Sequence, residues 1–184
     1  MKNTIKVAMV IATVALLAGC STTNSIPYKA STSNVITIQN TLKASNTKVT
    51  LGTFSMGSGV TEELLCRLMG PVKVAPGKTL SAYIKEAFQE ELFLAQAYDT
   101  NASVTIEGRI EKLAFSSVSP ANWEISMRVS SNKSPGYTVA VKYNYDTSFD
   151  AISACRNVAD AFAPAVQELL RQVVTNPQFS QLVK

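Results

Sequence analysis

The 184-residue chain contains no histidine. That absence removes the commonest general base, the serine–histidine and cysteine–histidine nucleophile systems, and the usual zinc ligand. No Cys-x-x-Cys pair is present, so the usual spacing of a dithiol redox site is missing as well. The sequence also lacks an Asp-x-Asp-x-Asp-Gly calcium loop. Gly52, Gly57 and Gly59 have neither the Lys-Ser/Thr ending of a P-loop nor the spacing of a dinucleotide turn. Charge is sparse, at 16% of residues. The adjacent carboxylates Glu62-Glu63 and Glu90-Glu91 would point about 100° apart on a helix, too far to clamp one bond. Each pair reads as a solvated helix face, and Asp146 and Asp150 read as a turn and a helix cap. The expectation is a non-enzymatic protein without a cofactor or a metal.

What the chain does have begins at its start. Lys2 and Lys6 precede an apolar run over residues 7–17, which closes on Leu17-Ala18-Gly19-Cys20. The run falls short of the ~20 apolar residues that a membrane span needs. A basic region, an apolar stretch of this length and small residues before a cysteine resemble the signal of lipobox-bearing bacterial lipoproteins. The resemblance implies cleavage before Cys20, a diacylglycerol on its thiol and, in a Gram-negative host, acylation of its amine. Ser21 rather than aspartate follows, which implies sorting to the outer membrane with the domain facing the periplasm. Loss of Lys2 and Lys6 takes Lys+Arg from 17 to 15 against 13 Asp+Glu, so the formal charge falls from +4 to about +2. Nothing in that balance calls for nucleic acid or anionic lipid as a partner.

Three parts are expected: residues 1–19 as signal peptide, 20–34 as lipidated cysteine and flexible polar tether, and 35–184 as one α+β domain. Cys66 and Cys155 remain as an even pair in an exported chain, for which a disulfide is the default. Free buried thiols, a metal pair and a redox site are the alternatives.

Within the domain, Val35, Ile38 and Leu42 suggest a helix over residues 34–44 behind Ser33 as N-cap. Residues 48–55 alternate as a strand, with Val49, Leu51 and Thr53 on one face. Residues 61–70 carry the start and stop signals of a short helix, and residues 60–74 fit an edge strand equally well. Thr79 opens a long amphipathic helix reaching about residue 98. Three alternating segments follow, around Val104–Glu111, Trp123–Ser130 and Tyr137–Asp146, joined by short turn-rich links that make a meander the simplest topology. Asp150 then caps a helix whose seam runs Ile152, Cys155, Ala159, Phe162, Val166, Leu169 and Val173, kinked at Pro164. Asn176-Pro177 ends it, with Phe179 and Leu182 tucked in. The expected fold is an α+β two-layer sandwich: a mostly antiparallel sheet, three-strand meander plus N-terminal strand, with helices on one face.

Element order over residues 48–182, the Cys66/Cys155 pair and the closing Asn176-Pro177-Gln178-Phe179 resemble small Gram-negative envelope lipoproteins. These include the lipoprotein subunit of the lipopolysaccharide assembly translocon and auxiliary lipoproteins of ABC-type lipid transporters. A closer resemblance is to uncharacterised lipoproteins of similar layout. That closer resemblance implies no activity. The expected function is an adaptor, fixed to the membrane through Cys20 and bound to an envelope protein partner through the helices or the Gly57 and Gly59 loop, because the mixed-charge outer sheet face argues against a large apolar interface there. The alternative is a carrier or sensor holding a small apolar ligand between sheet and helices, in a groove lined by Tyr137, Tyr143, Tyr145, Trp123 and Phe115. Those aromatics also fit a plain core face.

Overall fold

The computed structural model describes residues 26–43 and 46–184. The signal segment, Cys20 and the first part of the expected tether lie outside the described residues. In chain order the elements are α1 (Thr32–Lys43), β1 (Val49–Met56), α2 (Leu80–Leu94), β2 (Val104–Ser116), β3 (Asn122–Ser131), β4 (Tyr137–Asn144), α3 (Ala151–Asp160) and α4 (Phe162–Thr175). A 3₁₀ turn, Phe179–Val183, ends the chain. The strands form one sheet in the order β1-β2-β3-β4, with β1 parallel to β2 and the rest antiparallel. This is the expected α+β architecture with its meander. The parallel pair follows from α2, whose crossover returns the chain to the starting end of β1.

Alternation in β2 to β4 buries Val104, Ile106, Ile110, Trp123, Ile125, Met127, Val129, Val139 and Val141 against the helices. Thr105, Glu107, Arg109, Glu124, Arg128 and Lys142 lie on the other, uncovered face, where Glu124 bridges Lys112 and Lys142. Trp123 is fully buried between Phe115 and Phe162, with ring centroids at 5.1 and 4.9 Å, and its Nε1–H donates to the Val158 carbonyl at 2.8 Å. The Tyr137 hydroxyl donates to the Val173 carbonyl at 2.6 Å. These aromatics therefore fasten helices to sheet, each with its polar end bonded.

Several elements depart from the sequence expectation. In β1 the alternation breaks: the register slips between Leu51 and Phe54, so Phe54 turns inward and Thr53 faces out. Gly108 makes room for this. A Cβ there would sit 2.6 Å from the Phe54 ring. Residues 61–70 are not helical; Thr61 accepts from the Glu63 N–H instead, and residues 64–72 fold into a small hairpin through the Leu65–Pro71 bridge. α2 stops at Leu94 because Gln96 adopts φ 59°, letting Ala97 N–H reach the Leu92 carbonyl and Gln96 N–H that of Phe93. That is a Schellman ending made without glycine.

The last helix is two helices broken at Ala161. Pro164 lies at the third position of α4, where a backbone N–H has no intrahelical partner to lose. The chain thus restarts a helix around its proline instead of bending one. Ile152, expected on the seam, is exposed, and Ala154 is buried in its neighbourhood. The rest of the seam is buried, and Phe179 and Leu182 tuck in as expected.

Residues 26–34, expected to belong to the tether, are tied to the domain at Tyr28, Lys29, Ser31 and Asn34, while Ile26, Pro27, Thr32 and Ser33 stay exposed. α1 begins at Thr32 behind Ser31, not Ser33, and Asn34 is buried.

Candidate functional site

Two clusters stand apart from the core. The first is a clasp between the segment entering the domain and the helices. Glu91, on the inner face of α2, is fully buried. Its Oε1 accepts from the Tyr28 hydroxyl at 2.7 Å, the Asn34 amide at 3.0 Å and the Ser31 N–H at 3.1 Å. Its Oε2 has no hydrogen-bond partner among the described residues. Burial pushes the carboxyl above its ordinary value, and the three donors only partly oppose this. Burial likewise raises the Tyr28 hydroxyl, with Glu91 adding to the shift. α4 closes the other side: Asn34 donates to the Gln167 carbonyl at 3.1 Å, and the Gln167 amide donates to the Lys29 carbonyl. Tyr28 meets Tyr83 edge-on at 6.2 Å, and Tyr83 meets Phe162 at 5.4 Å, linking the segment to the core aromatics. Beside the clasp a surface cleft of about 380 Å³ runs between Ile26–Tyr28, Val74–Pro76 and Tyr83–Glu90.

The second cluster is the loop end of the sheet, beyond β2, β3 and β4. Cys66 and Cys155 are joined there in a disulfide with Cα atoms 5.8 Å apart. The small hairpin turns through Arg67 at φ 43° and Leu68 at φ 60°, closed by Met69 N–H to the Cys66 carbonyl at 2.7 Å. Two consecutive positive φ angles are the pattern of a type I′ turn, which normally takes Asn-Gly. Non-glycine residues in that conformation cost roughly 1–3 kcal/mol each. Neighbouring bonds hold them there. Arg67 Nε donates to Ser117 Oγ at 3.1 Å, Nη1 to the Ser148 and Phe149 carbonyls at 2.9 and 3.1 Å, and Nη2 to the Ser117 carbonyl. Three separate loops are thereby tied by one guanidinium and one disulfide.

These tied loops hold apolar side chains out. Leu68 is 99% exposed and Phe149 fully so, while Leu65, Val118 and Ile152 are each more than half exposed. Of nine large exposed apolar side chains among the described residues, these five lie at one end.

The sequence candidates fall unevenly. Gly57 is fixed by donating to the Ile110 carbonyl at 2.7 Å, and Gly59 at φ 76° has open space around it. Asp150 caps α3 by accepting from Ser153 N–H at 2.7 Å, which holds its carboxyl below the ordinary value. Glu62 accepts from Ser81 at the start of α2. Glu90-Glu91 is not a solvated pair: the first faces the cleft and the second is buried. Sequence reasoning missed Arg67, Leu68 and Phe149, which carry no periodic signal. It also missed Glu91, whose only trace was its place between Phe88 and Leu92 on the helix stripe. No group of three or more metal-ligating residues occurs among the described residues.

No family model matches this chain, and no curated protein matches it. Among solved structures, the crystal structure of protein XCC0632 from Xanthomonas campestris, assigned to family DUF330, is similar at a TM-score of 0.41 and 10% sequence identity. The similarity covers 73% of this chain and 87% of that one.

Proposed function

We propose that this chain is a lipid-anchored, non-enzymatic adaptor of an envelope complex, held at the periplasmic face of the outer membrane through Cys20. The observation that supports it best is the clasp. Because residues from 26 onward belong to the domain, only residues 20–25 separate the acylated cysteine from the folded body. Six residues span at most about 20 Å. A carrier that shuttles gains from a long leash; a module that holds a partner in register gains from a short one. The uncovered sheet face, with Glu107, Arg109, Glu124, Arg128 and Lys142, would then be offered to the partner. Its alternating charges suit a partner surface of mixed sign.

The test is site-specific photocrosslinking from Arg109 and Lys142 in intact envelopes, read by mass spectrometry. A single stoichiometric adduct, lost on Cys20→Ala, supports the adaptor. Absence of any protein adduct, with one lipid co-purifying, would instead favour the carrier reading. The cleft beside Tyr28 and Tyr83 is what supports that second reading, since its volume lies in the range of small-ligand sites.

A further inference from the structure

The loop end bears five exposed apolar side chains on a scaffold that is costly to build. A turn that natural sequences give to Asn-Gly is made here by Arg-Leu, so that a leucine, 99% exposed, stands at its tip. Relief of the strain by glycine would remove the leucine. The scaffold therefore serves the display of that side chain.

We infer that this end, formed by Leu65, Leu68, Val118, Phe149 and Ile152, inserts into the same bilayer that holds the Cys20 anchor. The inference rests on the anchoring reading above, and the position of the chain entry selects the bilayer as occupant. Ile26 lines the cleft with Val74, Ala75 and Pro76, the stretch that leads directly from the hairpin to the Thr79 cap of α2. The chain thus reaches the domain at the loop end, and residues 20–25 keep that entry within about 20 Å of the lipid headgroups. The side chains come from the hairpin, the β2–β3 link and the start of α3, with open hollows of about 250 and 390 Å³ meeting at Val118 between them; acyl chains can fill such hollows without matching a fixed shape. Three of the charged side chains at this end already have partners, while Glu63 and Lys73 stay exposed at its edge. Arg67 spends its donors on carbonyls and a serine hydroxyl, Glu62 accepts from Ser81, and Asp150 caps α3. With two or three acyl chains already holding the anchor, the foothold fixes the orientation of the domain on the bilayer.

The test uses the full-length, acylated chain in phosphatidylethanolamine/phosphatidylglycerol vesicles, with Phe149→Trp as reporter against the buried Trp123 of the unsubstituted chain. Flotation reports the anchor by itself. The expected result is a blue-shifted reporter, quenched by lipids brominated on their acyl chains and shielded from iodide. A floating protein whose reporter stays open to iodide and untouched by bromolipid overturns the inference. So does a reporter that becomes shielded only when solubilised envelope protein, or more of the same chain, is added. If the protein fails to float, the anchor reading falls instead. The foothold is then judged on Cys20→Ala at high vesicle concentration, where Leu68→Ser with Phe149→Ser should weaken partitioning about tenfold or more. Equal partitioning of the two overturns it.

Discussion

The Tyr28 hydroxyl donates a 2.7 Å hydrogen bond to Glu91, 63 residues away, and so pins the entering chain to a carboxylate that no water reaches. A buried acid with one bare oxygen is a costly fastener, and its charge state should be readable in stability.

Burial raises the folded-state value of Glu91 above the ordinary 4.5. The folded protein therefore holds this proton more tightly than the unfolded chain does. The associated stability is fully present below 4.5 and is lost as pH rises through the raised value. Glu91→Gln keeps the acceptor and removes the charge. Urea midpoints measured between pH 4 and 8 should fall with pH more steeply in the parent than in Glu91→Gln, and the variant should be the more stable at pH 8. Glu124, Glu168 and Asp150 are shifted the opposite way, so the difference between the two proteins isolates Glu91.

Tyr28→Ala removes both the bond to Glu91 and the ring contact with Tyr83. A loss of about 1–3 kcal/mol is expected. Limited proteolysis should show new cleavage within residues 26–34, with the sheet still protected.

Cys66 and Cys155 close a loop of 89 residues. Cys155→Ala should cost up to about 4–5 kcal/mol by the chain-entropy argument, and dithiothreitol should lower the parent's melting temperature without affecting the variant.

Leu68→Gly suits the positive φ that leucine adopts at a cost. The folded state should keep or gain up to about 1 kcal/mol in a denaturant titration, while partitioning of the Cys20→Ala chain into vesicles weakens. A gain in stability with a loss of function would mark the turn as strained for use.

Pro164→Ala should change stability by less than about 1 kcal/mol, since the proline sits at a helix start. A proline kinking a continuous helix would instead give a gain of roughly 3 kcal/mol on replacement.

The layers were legible because period two and period 3.6 are averages over many residues, and β2, β3, β4 and α2 each repeat their pattern often enough to speak. The cap at Asp150 was legible for the opposite reason, as one residue type with one local job. Three features were not. Gln96 takes a left-handed conformation without being glycine, so the end of α2 left no mark. Pro164 reads alike as kink or as restart, and only the break at Ala161 decides between them. Arg67 acts through partners 50 and 81 residues away, a distance over which no local pattern carries information, and Leu68 follows from the turn that Arg67 holds. The clasp was hidden by composition, since serines and threonines around Tyr28 look like linker until Glu91 supplies an acceptor.

The clasp also sets how the protein answers to tension. A pull on the entering chain would reach the fold at Tyr28 and Ser31 and divide at once between α2, through Glu91, and α4, through Gln167. Both helices are packed on the sheet, so the domain cannot be peeled away one turn at a time from its chain end. The load is shared at the seam between two helices, and under the proposed anchoring a partner on the sheet face would feel the membrane move.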